Sequence, residues 1–146
     1  MHVERTFTVP RPIEAVFDYL SDFESTNDWD PGTVTTTRTS GDGGVGTTYR
    51  NTSTFLGRTV ELDYTTLTHD RPRELRFEGR NPSATATDHL RLSPAADGTA
   101  TEIHYRATFE FRSAFKLVAR LVVGPRLPSL ADETVEQLTK TLLNKA

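Results

Sequence analysis

Between Thr33 and Phe111 every periodic segment reads as a strand, and a single long amphipathic helix follows to cover the sheet. The segments are Thr33–Thr39, Gly46–Phe55, Arg58–Thr68, Arg73–Gly79, Ala84–Ser93 and Thr99–Phe111, separated by Gly-, Pro- and Asp-bearing turns. Short spacing with turn chemistry at each junction predicts an antiparallel meander. Threonine, a β-branched residue that favours strands, makes up about one residue in six.

The two ends complete the pattern. Residues 2–9 alternate, with Val3, Phe7 and Val9 on one face, which predicts a half-buried strand. Pro10 and Pro12 end it. Ile13, Val16, Phe17 and Leu20 then recur at helical spacing, and a second helical turn is expected around Asp22–Asp28 before the turn Trp29-Asp30-Pro31-Gly32. At the C-terminus Leu127, Leu130, Ala131, Val135, Leu138 and Leu142 predict a helix of about four turns. Ala114–Val123 is also apolar, and Gly124-Pro125-Arg126-Leu127-Pro128 should break or kink any helix running through it. No repeat, linker or charge run divides the 146 residues, so a single domain over 1–146 is expected.

Two hairpins can be given a register. A loop at Ala95–Gly98 sets Leu90 opposite Ile103, Leu92 opposite Thr101 and Asp88 opposite Tyr105, with Arg91–Glu102 and His89–His104 on the other face. A loop at His69–Pro72 sets Tyr64 opposite Phe77 and Thr66 opposite Leu75. The inward face then carries Val60, Leu62, Tyr64, Leu75, Phe77, Asp88, Leu90, Ile103, Tyr105, Ala107, Phe109 and Phe111. By periodicity alone these residues fill a close-packed core.

Strand, helix pair, six antiparallel strands and a long C-terminal helix is an unusual order. Its local marks are Thr8-Val9-Pro10-Arg11-Pro12-Ile13-Glu14-Ala15-Val16-Phe17, Leu20-Ser21-Asp22, Trp29-Asp30-Pro31-Gly32 and Val45-Gly46-Thr47. Asp70-Arg71-Pro72-Arg73-Glu74-Leu75 and Gly98-Thr99-Ala100-Thr101-Glu102-Ile103 follow. Over essentially the whole chain this resembles the helix-grip fold of the START/Bet v 1-like (SRPBCC) superfamily, in particular its polyketide cyclase/dehydrase and lipid-transport branch. The resemblance implies an α+β fold: a curved antiparallel sheet of about seven strands wrapped around the C-terminal helix, with two short helices after the first strand. It also implies an internal cavity. Members carry lipids, sterols, hormones or polyketides, and some catalyse cyclisation or dehydration; the matching motifs are structural and transfer no catalytic set.

The candidate ligand-binding residues are therefore Arg5, Trp29, Tyr64, Phe77, Asp88, Leu90, Tyr105, Phe109, Leu130 and Leu138. Asp88 and Tyr105 face each other in the proposed register, and Arg5 shares the face of Val3 and Phe7. A buried carboxylate needs such partners; Asp88 is also the candidate general base should burial raise its pKa. Trp29 is expected at the cavity mouth, and His69 in a solvated turn. The apolar residues Phe115, Leu117, Val118, Leu121, Val122 and Val123 offer a lid, a homodimer contact or a membrane-touching surface with Lys116, Arg120 and Arg126 at the headgroups.

Several classes are excluded or disfavoured. With no cysteine there is no disulfide, thiolate metal site or cysteine nucleophile. A net charge of −3 disfavours nucleic-acid binding. His89 and His104 alone make an incomplete metal site, so no metal or cofactor is expected. No Gly-x-Ser-x-Gly, Walker or dinucleotide motif is present. No signal peptide or integral membrane segment is visible, and a cytoplasmic location is expected. Two readings remain: a protein that binds a small hydrophobic molecule, and a cyclase or dehydratase using Asp88 or a tyrosine as acid/base. A collapsed core would favour a third, an interaction module docking through residues 114–123.

Overall fold

The computed structural model describes residues 1–55, 57–112 and 115–145. Strand β1 (His2–Val9) is followed by α1 (Ile13–Ser21), a 3₁₀ turn (Phe23–Ser25) and α2 (Thr26–Trp29). Strands β2 (Thr33–Ser40), β3 (Thr48–Phe55), β4 (Arg58–Asp70), β5 (Glu74–Arg80), β6 (Ala84–Ala95) and β7 (Ala100–Phe111) run in sequence. Helix α3 (Phe115–Val122), a 3₁₀ turn at Gly124–Arg126 and α4 (Leu127–Asn144) end the chain. The sheet has seven strands in the order β1-β7-β6-β5-β4-β3-β2, every adjacent pair antiparallel. This is the helix-grip architecture, with α4 lying across the concave face.

The N-terminal expectations hold at residue level. β1 alternates exposed and half-buried positions, and Ile13, Val16, Phe17 and Leu20 are the buried residues of α1. The Gly124-Pro125 break also falls where proline chemistry puts it, dividing α3 from α4. Ala114 and the Phe115 side chain, part of the expected apolar segment, lie outside the described residues.

Both hairpin registers differ from expectation by two residues, and β4–β5 by three between its bulge and its turn. In β6–β7 the loop closes through Thr99, whose N–H and Oγ1 both bond the Ala96 carbonyl. Ala95 then faces Ala100, and Leu90 faces Tyr105 rather than Ile103. Asp88 stands opposite Ala107, His89 opposite Arg106, and Arg91 opposite His104 instead of Glu102. Positive φ at Ala96, Asp97 and Gly98 makes this tight loop, and only the last of these is a residue that favours it. In β4–β5 the turn sits at 71–73 and a bulge falls between Thr66 and Thr68. Tyr64 therefore meets Gly79, and Thr66 meets Phe77. A slip of two keeps every side chain on its expected face, because strand periodicity is two. Gly79 is required here: a Cβ on it would lie 2.6 Å from the Tyr64 ring.

The bulge moves His69 out of the expected solvated turn. It lies within β4 and meets Phe17 edge-on at 5.1 Å between ring centroids.

The concave face is filled at one end only. There α1, the 3₁₀ turn and α2 seat Phe17, Leu20, Phe23 and Trp29 among Tyr49, Leu75, Phe77, Leu90 and Ile103, all buried. Phe23 lies 4.5 Å from the Tyr64 ring and 4.6 Å from Phe77. A buried hydrogen-bonded network fastens α2 to the sheet: Thr26 Oγ1 to Thr36 Oγ1 at 2.6 Å, and Asn51 Nδ2 to Thr36 Oγ1 at 2.8 Å. Such groups cost free energy when buried unless paired, so the network also fixes where α2 sits. Helix α4 is tied to α2 by Gln137 Nε2 donating to the Asp28 carbonyl at 3.0 Å. Two carbonyls of its last turn, Leu142 O and Leu143 O, accept from Arg11 at 3.0 Å each.

Candidate functional site

The other end of the concave face is hollow. A cavity of about 220 Å³ lies between α4 and strands β1, β4, β6 and β7, with Asp30–Gly32 and the end of β3 along one side. This far exceeds the ~10–15 Å³ that one water requires. Its origin is visible in the residue sizes. Inward positions of β6 and β7 at this end carry Ala84, Ala86 and Ala107, and α4 answers with Ala131. Small side chains on two facing surfaces leave the space unfilled. Leu130, Ala131, Thr134 and Val135 are only half-buried although they point inward, because they face the cavity.

The wall is mainly aliphatic and aromatic, with one polar focus. Tyr105 Oη donates to Asp88 Oδ1. The pair is diagonal across β6 and β7, since the residue directly opposite Asp88 is Ala107. No described residue bonds Asp88 Oδ2, and Asp88 is part of the cavity wall. Burial pushes the Asp88 carboxyl up to about 7; the Tyr105 hydrogen bond opposes the rise and the nearby charge of Asp30 adds to it. Burial likewise holds the Tyr64 and Tyr105 phenols well above their ordinary value, so both remain neutral donors.

Arg5 is not Asp88's partner. Its Nε donates to Asp132 Oδ1 on α4 at 2.9 Å, and its other nitrogens reach the Pro128 and Glu4 carbonyls. β1 is an edge strand here and α4 crosses over it, so the long Arg5 side chain leaves the sheet for the helix. It thereby latches the seam between β1 and α4 at the cavity margin.

The other candidates divide cleanly. Tyr64, Phe109, Leu130 and Leu138 are on the wall with Arg5, Asp88 and Tyr105. Trp29, Phe77 and Leu90 are not: they belong to the filled end of the core. Trp29 is 3% exposed, donates from Nε1 to Ser25 Oγ at 3.0 Å, and meets Tyr105 edge-on. It therefore backs the polar focus instead of standing at a mouth. His89 and His104 are not directly opposite each other but diagonal, and each has another partner: His89 bonds Glu74 at 2.5 Å and His104 bonds Glu4 at 2.8 Å. No group of three metal-ligating side chains occurs among the described residues.

Asp30 is a wall residue that sequence reasoning missed. Its Oδ1 accepts from Gly32 N at 3.0 Å and its Oδ2 from Thr33 Oγ1 at 2.9 Å. Desolvation raises its pKa. The Asp-Pro-Gly signal reveals the turn, but no local pattern reveals that the turn folds onto a cavity. The alanines were missed for the opposite reason: an inward alanine carries no chemical signal, and its effect is the space it leaves.

Among the described residues no helix is long and apolar enough to cross a membrane. No curated protein matches the sequence. The fold is shared with the protein TTHA0849 of Thermus thermophilus, which superposes with a TM-score of 0.80 at 16% identity over 98% of this chain and 97% of that one. A START superfamily protein of Mycobacterium smegmatis aligns with a TM-score of 0.70 at 18% identity, covering 97% and 93%. The Zhui aromatase/cyclase of Streptomyces sp. R1128 aligns with a TM-score of 0.67 at 21% identity, covering 99% and 89%. The sequence also matches a family described as polyketide cyclase / dehydrase and lipid transport over residues 1–142. The chain belongs to that polyketide cyclase / dehydrase and lipid transport family.

Proposed function

We propose that the domain encloses a small, largely apolar molecule bearing one hydroxyl or carbonyl oxygen, which Asp88 orients. One observation carries this reading: a mainly apolar cavity has in its wall a carboxyl with one oxygen held by Tyr105 and the other bonded by no described residue. Ligand sites combine an apolar wall with a few placed polar groups in this way. With a pKa of about 7, Asp88 carries a substantial share of its acid form at neutral pH. That form donates to a ligand oxygen without placing a full charge in an apolar site.

The test is native mass spectrometry of freshly purified protein, followed by identification of anything released on denaturation. A retained apolar molecule in the parent protein, lost in Ala107→Leu, supports the reading. A molecule retained equally by both proteins refutes its location.

A second reading is favoured by the same titration. A cavity-facing carboxyl poised near neutrality suits general acid–base catalysis. As carboxylate, Asp88 takes a proton from a carbon next to a carbonyl; as acid, it returns that proton to a hydroxyl leaving as water. The polyketide-like or aromatic substrate of a cyclase or dehydratase fits this chemistry, with the wall holding the folded chain in place. Turnover that survives Asp88→Asn eliminates it as the base.

A further inference from the structure

Helix α3 is buried on one side and apolar on the other. Its Ala119, with Val123 just past its end and Leu127 at the start of α4, is buried against Met1, Val3, Phe55, Phe109 and Phe111. On the opposite side Leu117 and Leu121 are 72% and 76% exposed, with Val118 and Val122 beside them at 52% and 50%. At 100° per residue these four form one arc facing away from the domain. Scattered exposed apolar residues are ordinary, but a contiguous arc of large ones marks a surface that meets something.

Charge identifies what it meets. From Phe111 to Ala131 the sequence contains no acidic residue, although the whole chain carries −3. Lys116 and Arg120, one turn apart, border the arc along one edge, and Arg126 follows at the 3₁₀ turn; all three are exposed. None has an ion-pair partner among the described residues. A two-fold contact between copies through this face would set cations of both chains together with no anion to offset them. An apolar face bordered by unpaired cations instead matches a helix lying in the interface of an anionic bilayer.

The geometry points to α3 as a docking element that seats the domain on an anionic lipid surface, with Leu117, Val118, Leu121 and Val122 in the acyl boundary and Lys116, Arg120 and Arg126 at the headgroups. Phe109, Phe111 and Leu127 pack beneath α3 and also line the cavity. Docking therefore brings that end of the cavity to the lipid phase. Exchange of a ligand there rests on the cavity reading above; docking itself does not.

The test is flotation of the full chain with vesicles of phosphatidylcholine alone or with one-third phosphatidylglycerol. Each surface-bound cation contributes roughly fivefold, so three predict partition about a hundredfold stronger on the anionic vesicles. Leu117→Gln with Leu121→Gln, at exposed sites that leave the core intact, should abolish flotation, and Lys116→Glu with Arg120→Glu should remove the preference for anionic lipid. Failure of the parent chain to float overturns the proposal, as does undiminished flotation of the glutamine variant. It is equally overturned if the parent is a dimer that the glutamine variant converts to monomer, since the arc is then covered by a second copy. Flotation reads docking whether or not the cavity holds a ligand, so the two ideas fail separately.

Discussion

Asp88→Asn isolates one carboxyl whose environment should make folding stability depend on pH. In the folded protein this group titrates at about 7, against an ordinary value of 3.8. One pKa unit corresponds to about 1.4 kcal/mol, so the difference amounts to about 4 kcal/mol at most. The sign follows from which state releases its proton first. At the acid end, below the ordinary carboxylate range, both states hold the proton and nothing is lost. As pH rises from about 4, the unfolded chain ionises while the folded one does not, and stability falls until about pH 7. Above that the folded carboxyl is ionised too, and the full penalty is constant. The amide of Asp88→Asn carries no such penalty and can still accept from Tyr105 Oη. Carboxylates remote from the site titrate equally in both proteins and cancel in the difference; Asp30, whose charge acts on Asp88, is the exception. Urea denaturation of both proteins from about pH 4 to about pH 8 should therefore show the variant gaining about 2–4 kcal/mol relative to the parent, the lower part of that range reflecting water admitted to the cavity. Parallel stability curves would mean that Asp88 is ionised at neutrality like an ordinary carboxylate. The acid-form reading of the site would then fall.

Gly79→Ala should push a Cβ to within 2.6 Å of the Tyr64 ring. That ring is caught between Phe23 and the cavity, so its yielding direction is into the cavity. The expected cost is about 1–3 kcal/mol in urea denaturation, with reduced retention of a bound molecule in native mass spectrometry; unchanged stability would mean that the β4–β5 register is wrong. Arg5→Ala removes a latch that is partly solvent-exposed, so stability should fall by less than about 1 kcal/mol. Release of a cavity ligand should nevertheless accelerate, because the seam between β1 and α4 loses its tie. A release rate equal to the parent's in stopped-flow dilution would place the route elsewhere.

How much of the fold was legible in the chain depended on the range of the interaction involved. The α1 stripe Ile13, Val16, Phe17 and Leu20, the strand alternation and the Gly124-Pro125 break are set by backbone periodicity and proline sterics, which act within a few residues. Facing direction survived even where register did not, since both hairpins slipped by two residues. The slip itself came from three consecutive positive-φ residues at Ala96–Gly98 and from a bulge between Thr66 and Thr68. Neither has a compositional mark strong enough to distinguish it from neighbouring alternatives.

Local pattern was enough for the element order, the inward faces of the strands and the presence of Asp88 and Tyr105 among the inward residues. Packing settled the rest. Arg5 went to Asp132 because α4 crosses the edge strand β1, a fact about two elements more than a hundred residues apart. Trp29, Phe77 and Leu90 joined the filled end of the core because α1 and α2 seat over that half of the sheet. The other half stayed open because alanines on β6, β7 and α4 meet across it. A strand pattern records which way each side chain points. Whether the space it points into is occupied depends on the volume contributed by every element around it, and only the assembled fold brings those elements together.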